Sequence, residues 1–410
     1  MLRRPRLLRR FGAVVRSDPA GVAAGFAALV VAAITGIAAG LTLGSITDTL
    51  EERPGLLVVV PALVGMRGNV YGALGSRLGT AIHTGTFQLS TRRDTVVGQN
   101  LLAASALSVF VSLCIAVIGK GVAVAFGLTG TISIPDLVVI AVIGGLVPSV
   151  IVAAITVGVA AASVRRSWDL DNVSATLVTA AGDVVTLPLL FVATGLAGVD
   201  VVTPVLAAVC ALVGIGGLVV AVRARLPLLR RIVRESLPVL LLAGVIDCLA
   251  GVLFEKRLTS FFAFPVLLVL VPPFLSLAGS LGSVLSARVA SKLHLGLVDP
   301  GRFTLRPVGE DVLLVGAYAL PIFGLLALGA AGAGHLADLA SPGLVELVEV
   351  VALAAVVAVV FTVGLAYVSA VAAFRLGLDP DTQAIPIVTA SLDLLGAFAI
   401  IFAVVLLGLT

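Results

Sequence analysis

Eleven apolar stretches, most of them long enough to cross a bilayer, dominate this 410-residue chain and leave little room for any other architecture. A span needs roughly 20 predominantly apolar residues. That rule places helices near 20–45, 55–80, 97–127, 136–163, 172–197, 202–222, 236–254, 260–290, 308–331, 343–374 and 383–408. Charged residues make up 12% of the sequence, about half the share in soluble domains, and mean hydropathy is +1.22. The expected fold class is an all-α integral membrane protein embedded in lipid. Forty-four glycines suit close helix packing in that setting.

The sequence pI near 9.3 comes from loop arginines and not from aromatic–basic clusters of the kind that bind nucleic acid, so no nucleic-acid partner is expected. Cys114, Cys210 and Cys248 lie singly inside apolar runs, which argues against a disulfide framework or a zinc site. The opening MLRRPRLLRRF precedes an apolar run without a small-residue cleavage site, which reads as an uncleaved first helix after a basic N-terminus, 1–19.

Cation placement orders the spans. With the N-terminus cytoplasmic, the arginines of residues 3–16, Arg77, Arg92, Arg93, Arg165, Arg166, the 223–234 cluster, Arg288, Lys292, Arg302, Arg306 and Arg375 all fall inside. Only Arg53, Lys120, Lys256 and Arg257 fall outside, and Arg67 lies within a span. The positive-inside rule therefore puts the N-terminus inside and, after an odd number of spans, the C-terminus outside. A multi-pass protein of the plasma membrane is expected.

The chain also repeats itself. Shifted by 211 residues, PALVGMRGNVYGALGSRLGTAIHTG meets PPFLSLAGSLGSVLSARVASKLHLG: Pro61 meets Pro272, Gly68 meets Gly279, Arg77 meets Arg288 and His83 meets His294. Shifted by 210, DLDNVSATLVTAAGD meets DPDTQAIPIVTASLD, with Asp169, Asp171, Thr179 and Asp183 on Asp379, Asp381, Thr389 and Asp393. Five helices per repeat is an odd number, so the extra sixth span carries the chain back and makes the halves parallel about an axis along the membrane normal. The expected divisions are a first five-helix repeat at 20–199, a linker helix and basic loop at 200–230, and a second repeat at 231–410. Such a chain resembles a fused dimer, so a monomer is expected.

Ionisable groups inside a membrane are costly and usually functional. Asp183 and Asp393 lie near mid-membrane in the fifth helix of each repeat. Asn172, Thr176, Thr179 and Asp183 are spaced 4, 3 and 4 and share a helix face, matched by Thr382, Pro386, Thr389 and Asp393. Two such faces meeting across the axis predict a path lined by hydroxyls and amides with two carboxylates at its floor. Oxygen ligands of this kind suit a hard cation such as Mg²⁺ that keeps several waters. Asp171 and Asp381, just before these helices, divide evenly between helix caps and ligands at the mouth of the path.

Other polar positions have plainer readings. Gln99 and Asn100, opposite Glu310 and Asp311, read as first-turn caps of the third helix in each repeat. His83 and His294 read as solvated loop residues, and Trp168 as an interfacial anchor. Pro61, Gly65 and Gly68 are expected to loosen the second span, which a membrane tolerates beside protein or a cavity. Asp247 has Gly36 as its counterpart and Arg67 has Ala278, so each is present once. They are expected either to pair as countercharges or to act separately, Arg67 pointing away from the path or towards a helix-five carboxylate, or gating it, and Asp247 lining it. There is no GxSxG, HExxH or P-loop signature. An intramembrane enzyme using the Asp pair as an acid–base dyad stays as a minor alternative.

The segments PALVGMRGN followed by RLGT, and DLDNVSATLVTAAGD with its copy DPDTQAIPIVTASLD, resemble the MgtE-type magnesium transporter family. The likeness is greater to the solute carrier family 41 branch, with two such membrane domains in one chain. The resemblance implies transport of divalent cations, Mg²⁺ foremost, between two five-helix domains. The fifth-helix aspartates, Asp183 and Asp393, would hold the hydrated ion and Asn69 would line the path, with Ser280 as a departure in the second repeat. The acidic residues heading the fifth helices correspond to Asp169, Asp171, Asp379 and Asp381. Residues 1–19 leave no room for the cytosolic CBS sensor of MgtE channels. A Na⁺-coupled Mg²⁺ exchanger is the runner-up.

Overall fold

A computed structural model describes residues 19–166, 174–301, 306–377 and 383–409. Among them are eleven helices long and apolar enough to cross a membrane. They are α1 (Pro19–Gly44), α2 (Leu56–His83), α3 (Val96–Ala125), α4 (Ile134–Arg166), α5 (Ser174–Thr194), α6 (Val202–Arg223), α7 (Pro227–Glu255), α8 (Val266–His294), α9 (Gly309–Leu336), α10 (Leu344–Leu376) and α11 (Ile385–Leu406). Each helix of the second repeat, α7 to α11, comes six spans after its counterpart in α1 to α5, so the two repeats run parallel with α6 as the linker.

Two boundaries differ from the sequence expectation. Helix α7 begins at Pro227 and not near 236, because its first turns are amphipathic. Leu229, Ile232 and Val233 are buried while Arg231 and Arg234 face outward, a pattern that lowers average hydropathy without weakening the helix. The expected eighth span divides in two: a short helix, Leu258–Ala263, ends before Pro265, and α8 follows. The first repeat has the same device, the short helix Thr47–Glu52 before Pro54, at the same 211-residue shift.

The first helices of the two repeats are exchanged. Helix α1 packs on α8 and α9 of the other half while keeping its contact with α5 of its own, and α7 packs on α2 and α3 of the other half while keeping its contact with α11. In α1 the contact rests on Gly36, Gly40 and Gly44, one residue per turn on one face. A Cβ at Gly40 would overlap the Val269 carbonyl oxygen, and a Cβ at Gly251 of α7 would overlap the Val58 carbonyl oxygen, the equivalent atom 211 residues earlier. Prolines leave one carbonyl at each crossing without its helical donor. Pro273 has no N–H for Val269 O, and Pro61 has none for Leu57 O, the other carbonyl beneath Gly251.

Helix α2 stays continuous through Pro61, Gly65 and Gly68, so the expected loosening does not occur. Pro61 sits in the second turn, where one backbone hydrogen bond is lost and the helix carries on. With the exchange, α2 and α8 become the most enclosed spans, and α6 and α10 the least. Val205, Leu212, Val213 and Val220 of α6 and Val356, Val360 and Val368 of α10 present exposed apolar surface. The centre is formed by α2, α5, α8 and α11, where α2 meets α5 and α11 and α8 meets the same two helices.

Candidate functional site

Opposite faces of α2 carry opposite chemistry. At 100° per residue, Gly65, Gly68 and Asn69 share one face, and Arg67 and Tyr71 lie on the other. The glycine face admits α5 and α11. A Cβ at Gly68 would lie 3.1 Å from Thr179 Oγ1, and the repeat mate, Gly279, would come within 3.6 Å of Thr389. Thr389 Oγ1 donates to Asn69 Oδ1 across the seam at 3.1 Å. Pro386 is buried one turn earlier and lines a small cavity with Asn69, Arg77 and Ser236.

The aspartates follow one turn further along. Asp183 is 2% exposed and lies beside Ser276, the residue matching Gly65 in the second repeat. Neither Asp183 Oδ2 nor Ser276 Oγ has a hydrogen-bond partner. Asp393, half-buried, approaches Gly65 itself: a Cβ there would lie 3.6 Å from Asp393 Oδ2 and 3.1 Å from Asp247 Oδ2. Asp393 is thus an electrostatic neighbour of Asp183 on one side and of Asp247 on the other. Among the described residues, no three His, Cys, Asp or Glu side chains are close enough to cage a bare ion.

Asp247 and Arg67 do not pair. Arg67 is fully buried on the far face of α2, where its Nη1 donates to Leu63 O while Nε and Nη2 have no hydrogen-bond partner. Its guanidinium lies over Gly145 of α4 and near Ser112 of α3, with Ser108 and Ser149 hydrogen-bonded to each other at 2.7 Å beside Tyr71. Of the other expected lining residues, Thr176 is half-buried, as is Ser280, next to Gly279. Asp171, Asp381, Asn172, Thr382, Asp169, Asp379 and Trp168 lie outside the described residues.

The caps expected at the start of α3 and α9 are cross-helix braces. Thr95 caps α3 by accepting from Gly98 N at 3.1 Å. That leaves Asn100 Oδ1 to accept from Arg77 Nε at 2.7 Å, and Gln99 Oε1 to accept from Leu229 N at 3.2 Å. In the second repeat Asp311 binds Arg288 at 3.2 Å and Lys292 at 2.5 Å, tying α9 to α8. His294 packs edge-on against Phe374, with ring centroids 5.1 Å apart.

An internally duplicated, eleven-helix membrane protein with carboxylates buried where its halves meet belongs to the architectural class of polytopic transport proteins. Residues 60–193 and 271–403 match the MgtE family, described as a divalent cation transporter, and the chain belongs to that family. Both matched segments contain one of the fifth-helix aspartates, Asp183 or Asp393. The chain is also similar to solute carrier family 41 member 3 of Rattus norvegicus, at 24% identity over 62% of this chain and 57% of that protein. Solute carrier family 41 member 2 of Gallus gallus is 24% identical over 63% of this chain and 46% of its own length. The chain therefore spans about half the length of the curated relatives it matches. A eukaryotic MATE transporter is superposable only at a TM-score of 0.28 and 15% identity, too low to indicate a common fold.

Proposed function

We propose that this chain carries hydrated divalent cations, Mg²⁺ foremost, along the seam where α2, α5, α8 and α11 meet. The observation that carries the reading is Asp183, 2% exposed with Oδ2 unpartnered, beside the half-buried Asp393 of the other repeat. Carboxylates buried without a partner are costly, and a divalent ion between them removes that cost. The absence of a three-ligand cage among the described residues favours Mg²⁺, which sheds water reluctantly, over an ion that needs many direct oxygens. Thr179, Thr389, Asn69, Ser280, Thr176 and Pro386 line the way to the carboxylates.

Cation placement puts the Arg77 and Arg288 end in the cytoplasm of a plasma-membrane protein, with the N-terminus inside and the C-terminus outside. The duplication supplies both halves of the path, so a monomer suffices. Transport accounts for the site better than acid–base catalysis, because the acids lie along a seam running between helices and the family is one of transporters. Reconstitution into proteoliposomes with a Mg²⁺ indicator inside tests the reading. Asp183→Asn with Asp393→Asn should abolish uptake, and uptake at the wild-type rate in that double variant would overturn it.

A further inference from the structure

We propose that Asp247 is a third carboxylate of this site, facing the same hydrated divalent cation as Asp183 and Asp393 and setting the affinity for it; the inference rests on the transport reading above. Asp247 and Asp393 converge on one point of α2, since a Cβ at Gly65 would lie within 4 Å of an oxygen of each. Gly65 leaves that space open.

The asymmetry of the repeats isolates what Asp247 adds. Helix α1 presents Gly36, Gly40 and Gly44 to its partner, and α7 presents Asp247, Gly251 and Glu255 at the matching positions. Gly251 keeps the close crossing on α2. Glu255 has a structural role, accepting from Gly55 N at 2.6 Å at the start of α2. Asp247 has no such role, for it is 1% exposed and its Oδ1 has no hydrogen-bond partner. Packing does not require an acid there, because Gly36 occupies the equivalent position against Pro273.

No described cation balances it. Helix α2 offers Gly65 and turns Arg67 the other way. Helix α3 presents Ile115 to Gly244 and Gly119 to the Cys248 side, α6 carries Cys210 and the terminal Arg223, and α11 brings Asp393. The compensating charge therefore comes from solution, as a cation or as a proton shared with Asp393. Two carboxylates neutralise a divalent ion, and a third leaves the occupied site net negative, which holds the ion more tightly through its water shell.

The test measures Mg²⁺ uptake against concentration in proteoliposomes for wild type, D247N, D247G and D247E, with Mg²⁺-dependent thermal stabilisation of the purified proteins alongside. In D247N and D247G the KM is expected to rise about tenfold, a charge effect of that order when a water layer separates carboxylate and ion, with a much smaller fall in kcat. D247E is expected to restore KM to within about threefold of wild type, because the charge is kept. KM within twofold of wild type in D247N and D247G overturns the proposal, as does an equal loss in all three variants. If the neutral variants do not fold, D393N decides. Its stabilisation by Mg²⁺ persists at higher concentration if Asp247 still faces the ion, and disappears if Asp183 is left alone. A wild type without uptake removes the transport reading itself, whereas a transporting wild type with an unaffected D247N removes only this inference.

Discussion

Thr389 Oγ1 donates a 3.1 Å hydrogen bond to Asn69 Oδ1, joining α11 of one repeat to α2 of the other at the level of the proposed path. The same hydroxyl also reaches Ile385 O and Pro386 O at 3.1 Å, so Asn69 shares this donor with the helix backbone. Ser280, the counterpart of Asn69, has no amide to offer for the equivalent link to Thr179. Asn69→Ala removes both the link and an oxygen from the path. Losing one such hydrogen bond costs about 1 kcal/mol, so uptake should fall roughly fivefold to tenfold. Ser280→Ala should reduce it less. Concentration-dependent flux in proteoliposomes measures both, and equal effects would show that the two halves of the path are equivalent.

Exchange of the first helices depends on Gly40 and Gly251, each seated on a backbone carbonyl that cannot move aside. Gly40→Ala and Gly251→Ala should each lower stability by about 1–3 kcal/mol through overpacking. Gly216→Ala and Gly217→Ala in α6, where a Cβ would meet nothing within 4 Å, should be neutral or slightly stabilising. Thermal unfolding in detergent, followed by light scattering or a thiol dye, ranks the four. Equal midpoints would mean that the helix crossing is looser than the structure shows.

The spans, the repeat and the fifth-helix aspartates were legible in the sequence because each leaves a local trace: apolar length, a constant offset, an acid amid aliphatic residues. The start of α7 was not, since PLLRRIVRESL hides its buried stripe among arginines. The helix exchange was invisible for a different reason. An offset shows that Gly40 corresponds to Gly251, but not which half each one packs against. The mismatch of Asp247 with Gly36 was plain, and its approach to Asp393 was not, because the offset does not show that α7 packs beside α11 of its own repeat. Asn100 sits in a helix's first turn and so resembled a cap, until Thr95 took that role and freed it for Arg77.

At the Arg77 and Arg288 end, the repeats use different versions of one brace. Asp311 holds two cations, and Asn100 holds Arg77 with a neutral amide. Asp311→Asn should destabilise the protein by about 2 kcal/mol, below the cost of breaking a fully buried pair because Arg288 and Lys292 are partly exposed. Asn100→Asp should be near neutral, since the charge gained beside Arg77 is offset by the lost 2.9 Å bond from Nδ2 to Val96 O, and Ala81 stands where Lys292 would be. Thermal midpoints at low and high salt separate the cases. The Asp311→Asn loss should shrink only modestly with salt, because the carboxylate is buried and screening there is weak.

Arg67 supplies the last test, because it is a buried cation across one helix from the proposed cation site. Its guanidinium and the carboxylates lie on opposite faces of α2, roughly 10 Å apart by the width of a helix. At that distance and an effective dielectric of about 20, a single charge opposes a divalent ion by on the order of 3 kcal/mol before any screening. Arg67→Met keeps the apolar stem and removes the charge. It should therefore bind Mg²⁺ more tightly, by up to about a hundredfold, lowering KM and slowing release. The protein should remain folded, since Nε and Nη2 have no hydrogen-bond partner and only the Nη1 bond to Leu63 O is lost. Arg67→Lys keeps the charge and should leave affinity near wild type. A lower affinity in Arg67→Met would mean that the guanidinium supports the carboxylates rather than opposing their ion, and that α2 does not separate the two chemistries.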